Sequence, residues 1–74
     1  MFEKLLNSLV KNRNKPDLHS AMCYFESGLV VFISANWNKS IDVQYCDEHR
    51  WSSLDNVGEV LELFKDEVLL RYEI

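Results

Sequence analysis

Glycine and proline are scarce, with two of the first and one of the second in 74 residues. Two glycines cannot build a phosphate-cradling loop or a dinucleotide fingerprint, which need several at fixed spacing. Cysteine is equally sparse: Cys23 and Cys46 are the only two. Two thiols do not make the disulfide framework of a small secreted domain and point to a reducing compartment. No apolar run approaches the ~20 residues of a membrane span. The N-terminal residues lack the continuous apolar stretch and small-residue cleavage site of a secretory signal. The expectation is a cytoplasmic protein with no membrane partner.

Length excludes more. At this size the chain forms one domain, residues 1–74, with one core. Such a domain buries only about 60% of the surface its unfolded chain exposes, so a substrate cleft would consume much of its interior. Hydrophobic residues make up 47% and charged residues 27%, a globular balance.

Net charge is −4, unevenly spread. Residues 1–17 carry +2 and residues 42–74 carry −6. The acidic half repels polyanions and would attract a basic protein surface.

The chain divides by hydrophobic period. Phe2, Leu5, Leu6, Leu9 and Val10 follow the i, i+3, i+4, i+7, i+8 stripe of an amphipathic helix. Asn12 to Asp17 is turn-forming and holds the only proline, Pro16. The period then falls to two: residues 18–26, 29–37 and 41–50 read as strands, with Ser27-Gly28 as a hairpin turn. Ser52 to Asp55 resembles a helix start, with Ser53 or Asp55 as cap, ahead of the stripe Val57, Val60, Leu61, Phe64 and Val68. Residues 68–74 alternate like a fourth strand, yet nothing at Lys65-Asp66-Glu67 breaks the helix, so strand and helix both stay open. The expected fold is α+β: helix, three-stranded antiparallel meander, helix (α-β-β-β-α), with a short C-terminal fourth strand as an option. Both helices should lie on one sheet face, since a sheet needs one face covered.

Turn lengths set a register. A two-residue turn at Ser27-Gly28 puts Glu26 opposite Leu29, and a three-residue loop at Asn38–Ser40 puts Trp37 opposite Ile41. Paired residues share a face. One face then carries Leu18, Met22, Tyr24, Leu29, Val31, Ile33, Ala35, Trp37, Ile41, Val43 and Tyr45, the expected core. The other gathers Cys23, Phe25, Val30, Phe32 and Cys46 near the first turn, half apolar where a solvated face would be polar. This patch, with Asp42 and Glu48 as polar rim, is the expected binding surface, for another protein or for a second copy of the chain. Its other explanation is cover by the C-terminal segment. In this register the thiols flank one strand about 9–10 Å apart. That is beyond the ~7 Å Cα spacing of a disulfide, so both should be free.

Chemistry is thin. His19, Cys23, Cys46 and His49 have the residue types of a zinc site, but strand spacing sets i and i+4 about 13 Å apart and stops convergence. Neither metal nor cofactor is expected. A Cys–His nucleophile lacks hydrogen-bond reach for the same reason and leaves a cysteine-dependent enzyme as a remote alternative. Trp37-Asn38-Lys39 and Arg50-Trp51 set aromatics beside cations, as in base stacking with phosphate contact. The register places Trp37 in the core, which disfavours nucleic acid. The order of elements resembles that of double-stranded RNA-binding domains over most of the chain. That family carries a Gly-Pro-x-His type loop and a lysine-rich last helix start. Here those places hold Ser27-Gly28 and Leu54-Asp55-Asn56-Val57-Gly58-Glu59, so no functional residue transfers. The leading expectation is a non-enzymatic protein-binding module of the inhibitor, antitoxin, immunity or phage and plasmid antagonist type. It would use the sheet patch or the acidic half, where Glu59, Glu62 and Glu67 lie, against a basic, nucleic-acid-handling partner. A nucleic-acid-binding module is the alternative.

Overall fold

A computed structural model describes residues 1–74. Helix α1 spans Phe2–Lys11, followed by strands β1 (Ser20–Phe25), β2 (Val30–Ala35), β3 (Ile41–Tyr45) and β4 (Arg50–Leu54). Helix α2 (Val57–Leu63) and strand β5 (Leu69–Glu73) complete the chain. The five strands form one antiparallel sheet in the order β4-β3-β2-β1-β5. The fold is α+β, with two strands beyond the three of the expected meander.

Helix α1 follows its stripe. Leu5, Leu6 and Leu9 are buried, with Phe2 and Val10 packed against them. Helix α2 starts later than expected. Its cap is Asn56, whose side-chain oxygen accepts the Glu59 N–H at 2.9 Å, not Ser53 or Asp55. Both helices contribute to the same core as one face of the sheet. Phe2, Phe25 and Phe64 form its aromatic centre, with Phe25 and Phe64 stacked at 5.2 Å and Phe2 edge-on to each.

The expected strand over 41–50 ends at Tyr45, and a fourth strand, β4, takes Arg50–Leu54, including Ser52 to Leu54 where a helix start was expected. Cys46 to His49 turn the chain, His49 taking a left-handed φ of 52°, and Tyr45 faces Arg50. No glycine marks this turn, so composition hid it. Segment 68–74 is a strand, but it covers neither face. The chain crosses the helix side through α2, and β5 joins the far edge beside β1. A register shift between Tyr24 and Phe25 turns Leu69 into the core, whereas Arg71 and Glu73 pair with Tyr24 and Met22.

The β1–β2 register departs from expectation by one residue. Phe25 N–H donates to Leu29 O at 2.9 Å, so Glu26-Ser27-Gly28 is a three-residue turn. Gly28 sits at φ 96°, the left-handed position that such a turn gives to glycine. A one-residue slip exchanges the faces of a strand. Cys23 and Phe25 therefore point into the core, fully or almost fully buried, while Met22 and Tyr24 take the outer face. The β2–β3 loop also differs, but harmlessly. Asn36 faces Ser40 around Trp37-Asn38-Lys39, a loop of the expected length moved one residue earlier. The pairing shifts by two, so β2 and β3 keep their expected faces.

Candidate functional site

The outer face is built by residues that alternate away from the core. Met22 and Tyr24 come from β1, Val30, Phe32 and Ser34 from β2, Asp42 and Gln44 from β3, and Trp51 and Ser53 from β4. No helix lies over them. Phe32 sits mid-sheet, paired with Met22 on one side and Gln44 on the other, and is 36% exposed. Trp51, opposite Gln44, is 66% exposed. Cys46 leaves β3 on this side, and its thiol donates to Met22 Sδ at 3.6 Å. Val30, Phe32 and Cys46 thus share one surface, as the sequence suggested. Cys23 and Phe25 do not belong to it; Met22 and Tyr24 stand in their place, and Trp51 adds the largest side chain. Asp42, half-buried, lies on this face opposite Ser53. Glu48 is in the β3–β4 turn and pairs with Arg50 at 3.1 Å, an exposed bridge.

A polar corner closes the face beside β5. Tyr24 Oη donates to Glu73 Oε1 at 2.8 Å, and the Arg71 guanidinium lies 3.9 Å over the Tyr24 ring. Arg71 also bridges to Glu73 at 3.5 Å. The hydrogen bond to Glu73 is the main cause that lifts the Tyr24 phenol above its ordinary pKa. Across the sheet, Arg50 stacks 4.0 Å over the buried Tyr45 ring. Paired with Tyr45, Arg50 lies on the helix-side face, so of the two stacked arginines only Arg71 borders the outer apolar centre.

The thiols are free, and they lie on opposite faces rather than flanking one strand on a shared face. Burial pushes the Cys23 thiol up to about 12, which keeps it protonated and inert. Cys46 is exposed. Core Cys23 and surface Cys46 cannot converge on a zinc ion, and a buried protonated thiol is no nucleophile.

Trp37 corrects the sequence reading in another way. It was expected in the core and is instead 80% exposed at the tip of the β2–β3 loop. With Arg13, Asn14, Pro16 and His19 it lines a surface pocket of about 310 Å³. The neighbouring Lys39 holds a left-handed φ of 76°. The residues after α1 are ordered by local bonds, Arg13 Nε to Val10 O at 3.0 Å and His19 Nδ1 to Lys15 O at 3.0 Å.

The acidic carboxylates of α2 and its exit are partly engaged. Glu67 accepts from Ser27 Oγ at 2.6 Å, and Glu62 pairs with Lys65 at 3.2 Å. Glu59 receives the Asn56 amide at 3.3 Å. No helix is long and apolar enough to cross a membrane.

The chain matches no protein-family model, and no curated protein or solved structure matches it.

Proposed function

We propose that this chain is a non-enzymatic protein-binding module that engages its partner through the outer sheet face. Inhibitors, antitoxins, immunity proteins and phage or plasmid antagonists are the class it fits, acting in the cytoplasm. The observation that carries the reading is an apolar group, Met22, Val30, Phe32, Cys46 and Trp51, on a face that neither helix nor β5 covers. Arg71 at its edge and the Asp42 and Glu48 carboxylates supply a polar rim, the usual surround of a binding centre. The −6 charge of residues 42–74 favours a basic partner.

Exposed Trp37 beside Arg13 and His19 supports a second reading, a stacking site for a single-stranded nucleic acid. One experiment separates the two. Partners are captured from the source cells with wild type, Phe32→Glu, Trp37→Ala and the combined Glu59→Lys, Glu62→Lys, Glu67→Lys variant. A protein lost only with Phe32→Glu supports the outer face. Loss with the charge reversal, and a steep salt dependence, moves the site to α2. Bound nucleic acid lost with Trp37→Ala supports the second reading.

A further inference from the structure

The free edge of the sheet at β5 is self-complementary, and we propose that two copies of the chain join there, β5 to β5, into a continuous ten-stranded sheet. This surface is distinct from the outer face, and the inference stands whether or not that face binds a partner.

The hydrogen-bond phase comes first. Phe25 N–H donates to Leu29 O, and Ala35 N–H to His19 O. Odd-numbered β1 residues therefore turn their backbone groups to β2, and Met22 and Tyr24 turn theirs to β5. The partners of those two, Glu73 and Arg71, are bonded inward. Tyr72, between them, points its N–H and C=O away from the sheet. The edge has the unpaired backbone groups that invite another strand, with no proline or lysine on it to refuse one.

Side chains then select one register. In a two-fold antiparallel pair a residue can face its own copy, and only a residue with outward backbone groups can exchange both bonds there. With Tyr72 on the axis, Arg71 faces Glu73 of the second copy, Glu73 faces its Arg71, and Leu70 faces Ile74. Both cross-strand charge pairs are attractive and fall at the closer, non-hydrogen-bonded spacing. An axis at Arg71 or at Glu73 would set like charges against each other and would present backbone groups already bonded to β1. Leu70, Tyr72 and Ile74 are 60%, 42% and 61% exposed, so pairing also removes apolar surface from water. The opposite edge, β4, has no such symmetry. Its one charge, Arg50, has no acidic residue on the strand to face, whereas Arg71 and Glu73, bridged at 3.5 Å within one copy, meet the same opposite charges again across the axis.

The test is a charge swap read by sedimentation equilibrium of the full chain over a concentration series, with circular dichroism to confirm folding. Wild type should show a monomer–dimer equilibrium. Arg71→Glu and Glu73→Arg each put two like-charge pairs across the axis and should weaken it on the order of tenfold or more. The double variant Arg71→Glu/Glu73→Arg restores opposite charges in reverse and should recover the dimer. Tyr72→Pro removes an outward N–H and should abolish association. A wild type that stays monomeric to its solubility limit overturns the proposal. So do single variants that dimerise as tightly as wild type, and a double variant that stays folded but monomeric.

Discussion

The two faces of the sheet share the same strands, yet one is almost wholly apolar and forms the core, and the other is half apolar and open. On the helix side Cys23, Phe25, Val31, Ile33 and Val43 are almost wholly buried beneath α1 and α2. On the outer side Met22, Tyr24, Val30 and Phe32 occupy the neighbouring positions of β1 and β2 and remain partly or largely in water. An apolar side chain alone therefore does not ensure cover: Met22, Val30 and Phe32 are as apolar as their core neighbours and stay on the open side. The turn lengths decide which residues share a face, and the two helices, both on one side, decide which face is dry.

The largest expected difference lies between two phenylalanines. Phe25→Ala removes the ring that stacks on Phe64 and should cost about 3–5 kcal/mol, enough to threaten folding of so small a domain. Phe32→Ala, on the open side, should cost about 1 kcal/mol or less. Urea midpoints of the two variants measure the contrast; equal losses would mean that something covers the outer face.

The thiols sharpen the same contrast at intermediate size. Under native conditions an alkylating reagent should add once, at Cys46, and add at Cys23 only after unfolding, as intact mass would show. Cys23 also links stability to pH. Its folded value, about 12, lies above the ordinary 9.0, so the folded state holds a proton that the unfolded chain releases. Its contribution is fully present below pH 9.0 and is lost as pH rises towards about 12. Cys23→Ala should flatten the fall in stability across that window, and Cys46→Ala should leave it.

The smallest effect concerns the loop that left the faces unchanged. Lys39 holds a left-handed φ of 76°, a conformation that costs a residue with a Cβ roughly 1 kcal/mol. Lys39→Gly should raise the urea midpoint slightly, and a fall would show that its side chain contributes to the loop.

How much of this was legible in the sequence follows from the same physics. The α1 stripe was plain because polar residues separate its apolar ones. The faces of β3 were legible because Ile41 and Val43 alternate with Asp42 and Gln44, and in β2 the phase was marked only by Ser34 and Asn36 beside Ile33 and Ala35. In β1 the run Ala21-Met22-Cys23-Tyr24-Phe25 is apolar in both phases, so alternation says nothing and turn length carried the choice. Gly28 fits either a two-residue or a three-residue turn, and the difference of one residue moved Cys23 and Phe25 out of the expected site. Tyr24 held a clue, since its hydroxyl suits a wet face and finds Glu73 there. The β3–β4 turn was hidden because it runs Cys46-Asp47-Glu48-His49 without glycine, proline or asparagine. The outer face itself, with Val30, Phe32 and Cys46, was visible as an apolar excess where water was expected.

The return of β5 to β1 also shapes how the chain reaches this state. Every other strand pair is a hairpin closed over a few residues, whereas Tyr24 meets Glu73 across 49 residues. Closing that longer loop costs about 2 kcal/mol more chain entropy than closing the first hairpin. The β1–β4 meander can form from local contacts alone. The β5 strand takes its place only through the α2 crossover, so its pairing with β1 is the one non-local closure in the sheet.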